Sequence, residues 1–241
     1  ALSFLPLCHI YVRALIYVWQ YLGVSTYYAE SLATISENIR EVKPDIISTV
    51  PRLLEKIYDK ILMNGKKLGF PKKPLFFWAN SLAVQYNIDT PNGWWYMLKL
   101  KVARKLVLSK WKAALGGNLK VIVSGGASIQ SRLIRVFWAC DMPVLEGYGL
   151  TETSPVIAVS SFFKHGVKIG TVGQILPGIQ VQIAPDGEIL CKGPTVMLGY
   201  YKDPELTAEA IDANGWFHTG DLGAFEPEGQ LRITGRKKEL F

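Results

Sequence analysis

The sequence is poor in the features that settle most chemistries outright. It has three cysteines in 241 residues, Cys8, Cys140 and Cys191, set far apart and with no CxxC pair. That argues against a disulfide framework or a cysteine-built zinc site and points to a reducing, cytosolic compartment. With three histidines, the chain has no HExxH pair, and no serine–histidine–acid order or paired-carboxylate spacing stands out. A GxxxxGK[ST] loop is missing as well, which excludes a Walker-type nucleotide site. Residues 2–29 carry a single charge, Arg13, yet Pro6, His9, Arg13 and Gln20 interrupt them well short of a membrane span. No signal-peptide pattern is present.

Acidic residues are scarce in one block. Between residues 60 and 120, eleven lysines and Arg104 face Asp89 alone, a local balance of +11 in a chain whose net charge is +7. The basic character is therefore localised. It reads either as a solvated helical surface or as a face attracted to an anionic partner, such as membrane phospholipid or a polyanionic cosubstrate. Trp94, Trp95 and Tyr96, just before Lys99 and Lys101, read equally as an interfacial anchor or as core.

What is present is a folded chain, 49% hydrophobic. It begins inside an apolar run and ends directly after a basic cluster, and is read as an internal segment. Short apolar runs alternate with helical patterns up to about Pro155. Strands are expected near 2–7, 24–28, 45–50, 119–123 and 143–146. Helices are expected near 9–22, from Thr34 to Pro44, from Pro51, and over 75–87, 94–115 and 129–139. Thr34 and Glu37 have capping-box spacing, and Pro51 suits a first helical turn. Strands alternating with helices imply a helix-flanked mixed or parallel sheet. Beyond Pro155 strands shorten and follow one another: 172–176, 180–183, 188–192, 222–226 and 231–234. Pro185-Asp186-Gly187 and Pro227-Glu228-Gly229 are hairpin signals. The fold class expected is α/β, with a small distorted antiparallel β-barrel following the helix-flanked sheet.

Three segments carry the chemistry: GYGLTE (147–152), WFHTGD (216–221) and GRKKE (235–239). Tyr148 offers a face for a base, Thr151 a hydroxyl for a phosphoryl oxygen, and Glu152 a carboxylate for Mg²⁺. Asp221, after Thr219-Gly220, is expected at a tight turn, where its carboxylate suits a ribose diol. An isolated TGD would be a turn-stabilising aspartate, and Arg236 and Lys238 alone a solvated basic face. Ser124-Gly125-Gly126-Ala127-Ser128 joins a strand to a helix, a place where backbone amides approach a ligand closely. It is equally an ordinary turn. His9 sits among apolar neighbours, more often a structural setting than a catalytic one.

Six blocks stand in order nearly end to end: LPLCHIYVR, VSGGASI, EGYGLTETSP, GEILCKGPTVMLGYY, WFHTGDLG and GRKKELF. In them the chain resembles the adenylate-forming (AMP-forming) acyl-CoA synthetases. STVPRLLEKIYDKI, the basic insert through LVLSKWKAALGG and the GRKKEL ending are most similar to long-chain fatty-acid–CoA ligases. The resemblance implies ATP-dependent activation of a fatty acid through an acyl-adenylate, then thioester formation with coenzyme A. Gly126 and Ala127 would border the adenine and acyl pocket. Glu146, Gly147 and Tyr148 would frame the base, and Thr151 would contact the α-phosphate. Glu152 would help hold Mg²⁺, and Asp221 and Arg236 would bind ribose. Lys238 would lie at a hinge, and His9 beside the acyl site. Leu15, Trp19, Ile122 and Val123 read as acyl-channel lining or as core.

The same resemblance divides the chain into 1–155, a second α/β subdomain of the large adenylation domain, 156–233, a β-barrel subdomain, and 234–241, a hinge stub. The N-terminal phosphate loop and the C-terminal domain with its catalytic lysine would lie outside it, leaving the segment inactive by itself. Implied cofactors are ATP, Mg²⁺ and coenzyme A. Implied partners are a long-chain fatty acid and coenzyme A, with no nucleic acid; peripheral membrane contact through the 60–120 block is the expectation that its basic and aromatic composition adds. The location implied is cytoplasmic, with peripheral contact at the inner membrane face. Two other readings stay open: transfer to a carrier-protein thiol, and a non-catalytic nucleotide- or acyl-binding remnant.

Overall fold

A computed structural model describes residues 1–31 and 33–239. The chain divides into two units, Ala1–Leu145 and Glu146–Phe241. The first contains β1 (Leu2–Ser3), α1 (Ile10–Tyr21), β2 (Tyr27–Tyr28), α2 (Ile35–Val42), β3 (Ile46–Thr49) and α3 (Pro51–Lys66). It continues with α4 (Lys72–Val84), α5 (Trp94–Ala103), a π-helical turn (Arg104–Leu108), α6 (Ser109–Ala114), β4 (Val121–Ser124) and α7 (Ser131–Ala139). β5 (Val144–Tyr148) carries the chain across the division. The second unit follows with β6 (Ala158–Val159), β7 (Gln174–Ile175), β8 (Gln180–Ile183), β9 (Glu188–Lys192), α8 (Pro204–Ala210), β10 (Phe217–Phe225) and β11 (Leu231–Arg236). Single 3₁₀ turns cover Thr151–Thr153 and Lys237–Glu239.

In the first unit β2, β1, β3 and β4 pair in parallel, with Ile47 opposite both Leu2 and Ile122. Parallel strands covered by helices read as short apolar runs without alternation; VIVS is nearly so, while IIST buries Ile47, Ser48 and Thr49 in succession. Pro51 takes the first turn of α3, where its missing N–H is no loss. α3 buries Leu54 and Tyr58, α4 Phe76 and Ala79, and α7 Leu133 and Phe137, all within one apolar cluster. Trp19 and Ile122 are buried core side chains as well.

Several expectations are corrected. The first two strands shrink to two residues each. Thr34 precedes α2 but its side chain caps nothing; its hydroxyl donates to the Ser31 carbonyl and accepts from the Ser31 amide instead. That local bonding competes with capping. The long helical pattern at 94–115 is interrupted by the π turn, at which Arg104 Nε donates to the Ala139 carbonyl at 2.7 Å. The aromatic triplet splits: Tyr96 turns inward and donates to the Leu82 carbonyl at 2.7 Å. Trp94 and Trp95 stay 68% and 59% exposed, stacked at 4.1 Å.

The second unit is antiparallel. β6 pairs with β5 and with β7, and β8–β9–β10–β11 form a four-stranded sheet. Both hairpin signals hold: Gly187 and Gly229 take φ of +85° and +88° between β8 and β9 and between β10 and β11. The unit's apolar core is small, built on Ala158, Ile189 and Leu231.

Candidate functional site

GYGLTE is half strand and half loop. Gly147 and Tyr148 belong to β5, opposite Val159 and Ala158. The Glu146 carbonyl accepts from the Ser160 amide at 2.7 Å. The chain then folds back so tightly that a Cβ at Gly149 would overlap the Pro155 carbonyl. The staple of this loop is Thr153, fully buried, which accepts from the Leu150 amide at 2.9 Å and donates to the Pro155 carbonyl at 3.0 Å. Thr151 is left exposed. Glu152 is half-buried; its Oε1 accepts from the Tyr200 hydroxyl at 3.0 Å, and its carbonyl accepts from the Met197 amide at 2.8 Å. Sequence reasoning gave Thr153, Met197 and Tyr200 no role, although the last two lie in the quoted block ending MLGYY.

Asp221 is not at a turn. It lies inside β10, in a bulge where Thr219, Gly220 and Asp221 stand against Ile189 alone, between the pairs His218–Leu190 and Leu222–Glu188. Gly220 adopts φ +72°, a conformation open to glycine and strained for side-chain-bearing residues. The Asp221 carboxylate is 5% exposed as a residue. Its Oδ2 accepts from the Tyr148 hydroxyl at 2.9 Å, and its Oδ1 pairs with Arg236 Nε at 3.1 Å. Arg236 is its cross-strand neighbour on β11. Burial pushes the Tyr148 phenol well above its ordinary range, so it remains a donor. Three sequence-predicted residues thus converge: Tyr148, Asp221 and Arg236. Lys238 is exposed on the 3₁₀ turn just beyond. Leu240 and Phe241, the end of the expected hinge stub, lie outside the described residues.

A second cluster escaped sequence reasoning. Glu188, 4% exposed, accepts from the Gly220 amide, from Lys237 Nζ and from His218 Nδ1 at 2.9, 2.9 and 3.1 Å. Burial would raise this carboxyl, but the three donors hold it below its ordinary value. The signal for it was the order of the quoted blocks, since Glu188, His218 and Lys237 fall in three of them.

In the first unit His9 caps α1, its Nδ1 accepting from the Tyr11 amide at 3.3 Å. Tyr11 donates to the Val123 carbonyl at 2.9 Å, and its ring crowds Gly125, where a Cβ would meet it at 3.1 Å. The first turn of α1 is thereby fixed to the end of β4. Gly126, at φ +82°, and Ala127 are exposed on the loop that follows. The buried Ser124 hydroxyl at its base has no hydrogen-bond partner among the described residues.

A protein-family model described as AMP-binding enzyme matches residues 1–201. The chain belongs to the AMP-binding enzyme family. A long-chain-fatty-acid–CoA ligase of Mycobacterium bovis is 39% identical over the whole of this chain, which covers 40% of that protein. The chain thus spans about two fifths of the length of that relative. Among solved structures, a fatty acyl CoA synthetase of Mycobacterium tuberculosis matches with a TM-score of 0.67 and 22% identity, over 98% of this chain and 40% of that one. An O-succinylbenzoate coenzyme A synthetase of Bacillus subtilis in complex with AMP matches at 0.66 and 21%, over 98% and 41%. These structural likenesses establish the fold: an α/β unit followed by antiparallel strands, as the AMP-binding blocks implied. Among the described residues, no helix is long and apolar enough to cross a membrane.

Proposed function

We propose that this AMP-binding chain is part of a long-chain fatty-acid–CoA ligase. The whole enzyme joins a fatty-acid carboxylate to ATP by attack of the carboxylate oxygen on the α-phosphorus, breaking the bond to pyrophosphate. The thiol of coenzyme A then attacks the acyl carbon, gives up its proton and displaces AMP. In this reading residues 1–155 are an α/β subdomain, 156–233 a barrel subdomain and 234–241 a hinge.

One observation carries the proposal. A buried carboxylate, Asp221, is preset by Tyr148 and Arg236, so residues from the GYGLTE, TGD and GRKK blocks meet at a single acceptor. A carboxylate retains lone pairs beyond those two bonds, and a ribose diol would use them. Tyr148 and Gly147 then frame the base, and Thr151, exposed at the start of its turn, donates to the α-phosphate. Gly126, Ala127 and His9 border the adenine and acyl side in the first unit.

The Glu152 carboxylate fits Mg²⁺: it is half-buried, braced on one oxygen by Tyr200 and fixed at its backbone by Met197. Mg²⁺ binds through one or two carboxylates plus waters and phosphate oxygens, so a cluster of acidic ligands is not required. When bound, it supplies charge neutralisation to the phosphates.

The fatty-acid assignment draws on the names of the sequence relatives, since the structural neighbours include an enzyme named for an aromatic acid. Each methylene moved from water is worth roughly 0.8 kcal/mol, so a long acyl chain partitions into membrane. The exposed Trp94–Trp95 stack and Phe70, 91% exposed between Lys67 and Lys72, suit contact with an anionic bilayer. Flotation of the intact enzyme with Lys66, Lys67, Lys72 and Lys73 changed to Glu tests that contact; unchanged liposome binding refutes it.

The central test is Asp221→Ala in the intact protein, read as pyrophosphate release across a panel of carboxylic acids. Each charge-assisted hydrogen bond contributes roughly 1.5–3 kcal/mol, so nucleotide affinity should fall at least about tenfold. Undiminished adenylate formation rules out the role given to Asp221.

A further inference from the structure

The β10 bulge raises an accounting problem that the sheet itself does not solve. Three residues face Ile189, so the bulge amides lose their regular ladder partners on β9. Buried amides need acceptors. The Asp221 amide finds the Thr219 hydroxyl at 3.1 Å, and Thr219 donates onward to the Ile189 carbonyl at 2.8 Å. The Gly220 amide finds Glu188 Oε1 at 2.9 Å.

The other Glu188 oxygen meets Lys237 at 2.9 Å, one residue beyond Arg236. Lys237 is also paired with Asp186 in the β8–β9 turn at 2.6 Å. Glu188 therefore holds both chains that present the site: β10 through Gly220, the residue before Asp221, and the end of β11 through Lys237, the residue after Arg236. The Glu188 amide accepts further bracing by donating to Asp186 Oδ1 at 3.2 Å.

We propose that Glu188 is a positioning residue. It fixes the bulge and the end of β11 so that Asp221 and Arg236 keep the mutual geometry that reads a ribose. This inference rests on the ribose role assigned to Asp221 above. Glu188 does not touch the nucleotide; it acts through Gly220 and Lys237. A merely structural carboxylate would affect stability and leave sugar recognition alone, and that difference is measurable.

The experiment is equilibrium binding of ATP and of 2′,3′-dideoxy-ATP to the intact enzyme by calorimetry, with melting temperature recorded in parallel. The variants are Asp221→Ala, Glu188→Ala, Glu188→Gln, Lys237→Met and the Glu188→Gln/Asp221→Ala pair. The wild-type protein should prefer ATP, and Asp221→Ala should abolish that preference. Glu188→Ala should reduce it at least fivefold. Glu188→Gln, which keeps shape and an acceptor for Gly220 but loses the charge, should reduce it by a smaller factor, as should Lys237→Met. Should Glu188→Ala fail to fold, the latter two carry the test. On the Asp221→Ala background, Glu188→Gln should change nothing further. Folded Glu188 variants that melt earlier yet keep the full ATP preference overturn the inference. If Asp221→Ala itself keeps the preference, the ribose reading goes, and this one with it.

Discussion

The two units reach order by different means. The first surrounds its parallel strands with a large apolar cluster, in which Leu2, Ile47, Leu54, Leu108, Leu119 and Ile122 are all wholly buried. The apolar cluster of the second is built on only three buried residues, Ala158, Ile189 and Leu231. It buries polar groups instead: Glu188, Thr219, Asp221, Thr153 and Gln230. Apolar packing tolerates substitution by similar volumes, whereas a buried polar network demands each partner in place. The side chains proposed above for sugar and metal binding, Asp221, Arg236 and Glu152, lie in the second unit, where hydrogen bonds rather than contact area set their positions.

The contrast can be broken or sharpened by substitution. The largest expected effect is in the apolar unit: Leu54→Ala should cost about 2–5 kcal/mol by urea denaturation of the intact protein. Nucleotide affinity of the folded fraction should barely move. A parallel loss of affinity would contradict the separation between packing and site. Next is Tyr148→Phe, which removes a hydrogen bond to a buried carboxylate. It should cost roughly 1.5–3 kcal/mol, divided between stability and AMP affinity; calorimetry and melting together show the division.

Smaller again is Gly220→Ala. Nothing lies within 4 Å of the added Cβ, so the penalty is backbone strain alone, about 1–2 kcal/mol. A cost near zero would mean the bulge can relax. The smallest effect is in pH dependence. Glu188 is held below its ordinary value of 4.5. Its contribution is complete above that pH and is lost as pH falls through the lower folded-state value. The stability gap between wild type and Glu188→Gln should therefore narrow as pH drops below about 4.5. A gap constant through that range would show that the carboxylate charge is not what matters.

Much of the architecture was legible because periodicity and punctuation agreed. β8 and β9 fall at the bounds read from their sequences, set off by Pro185-Asp186-Gly187. α3 starts at Pro51 as expected. What failed did so for identifiable reasons. The Thr34 cap lost to a local bond with Ser31, which spacing to Glu37 does not reveal. α8 was missed because it is short and buries none of its residues, although Asp203 and Pro204 form a proper start: Asp203 caps the Leu206 amide at 3.0 Å. The π turn has no proline or glycine to announce it. Of the site, residue types were readable and geometry was not. Thr219-Gly220 signalled a turn, because a glycine with positive φ looks the same in a turn as in a bulge. Tyr148 read as a face for a base; its hydroxyl proves to brace Asp221.

The bulge also says something about how such a site can be gained or lost. Relative to β9, β10 carries two surplus residues, an even number, so inward and outward faces stay in phase on either side. Phe217, Thr219, Asp221 and Gly223 are all buried, and the alternation runs straight through. Deleting one residue would turn the rest of the strand inside out. Deleting two would restore one-to-one pairing with β9 and remove the bulge that presents Asp221. The bulge behaves like a removable cassette, inserted into β10 at an even length that keeps the faces of the strand in phase.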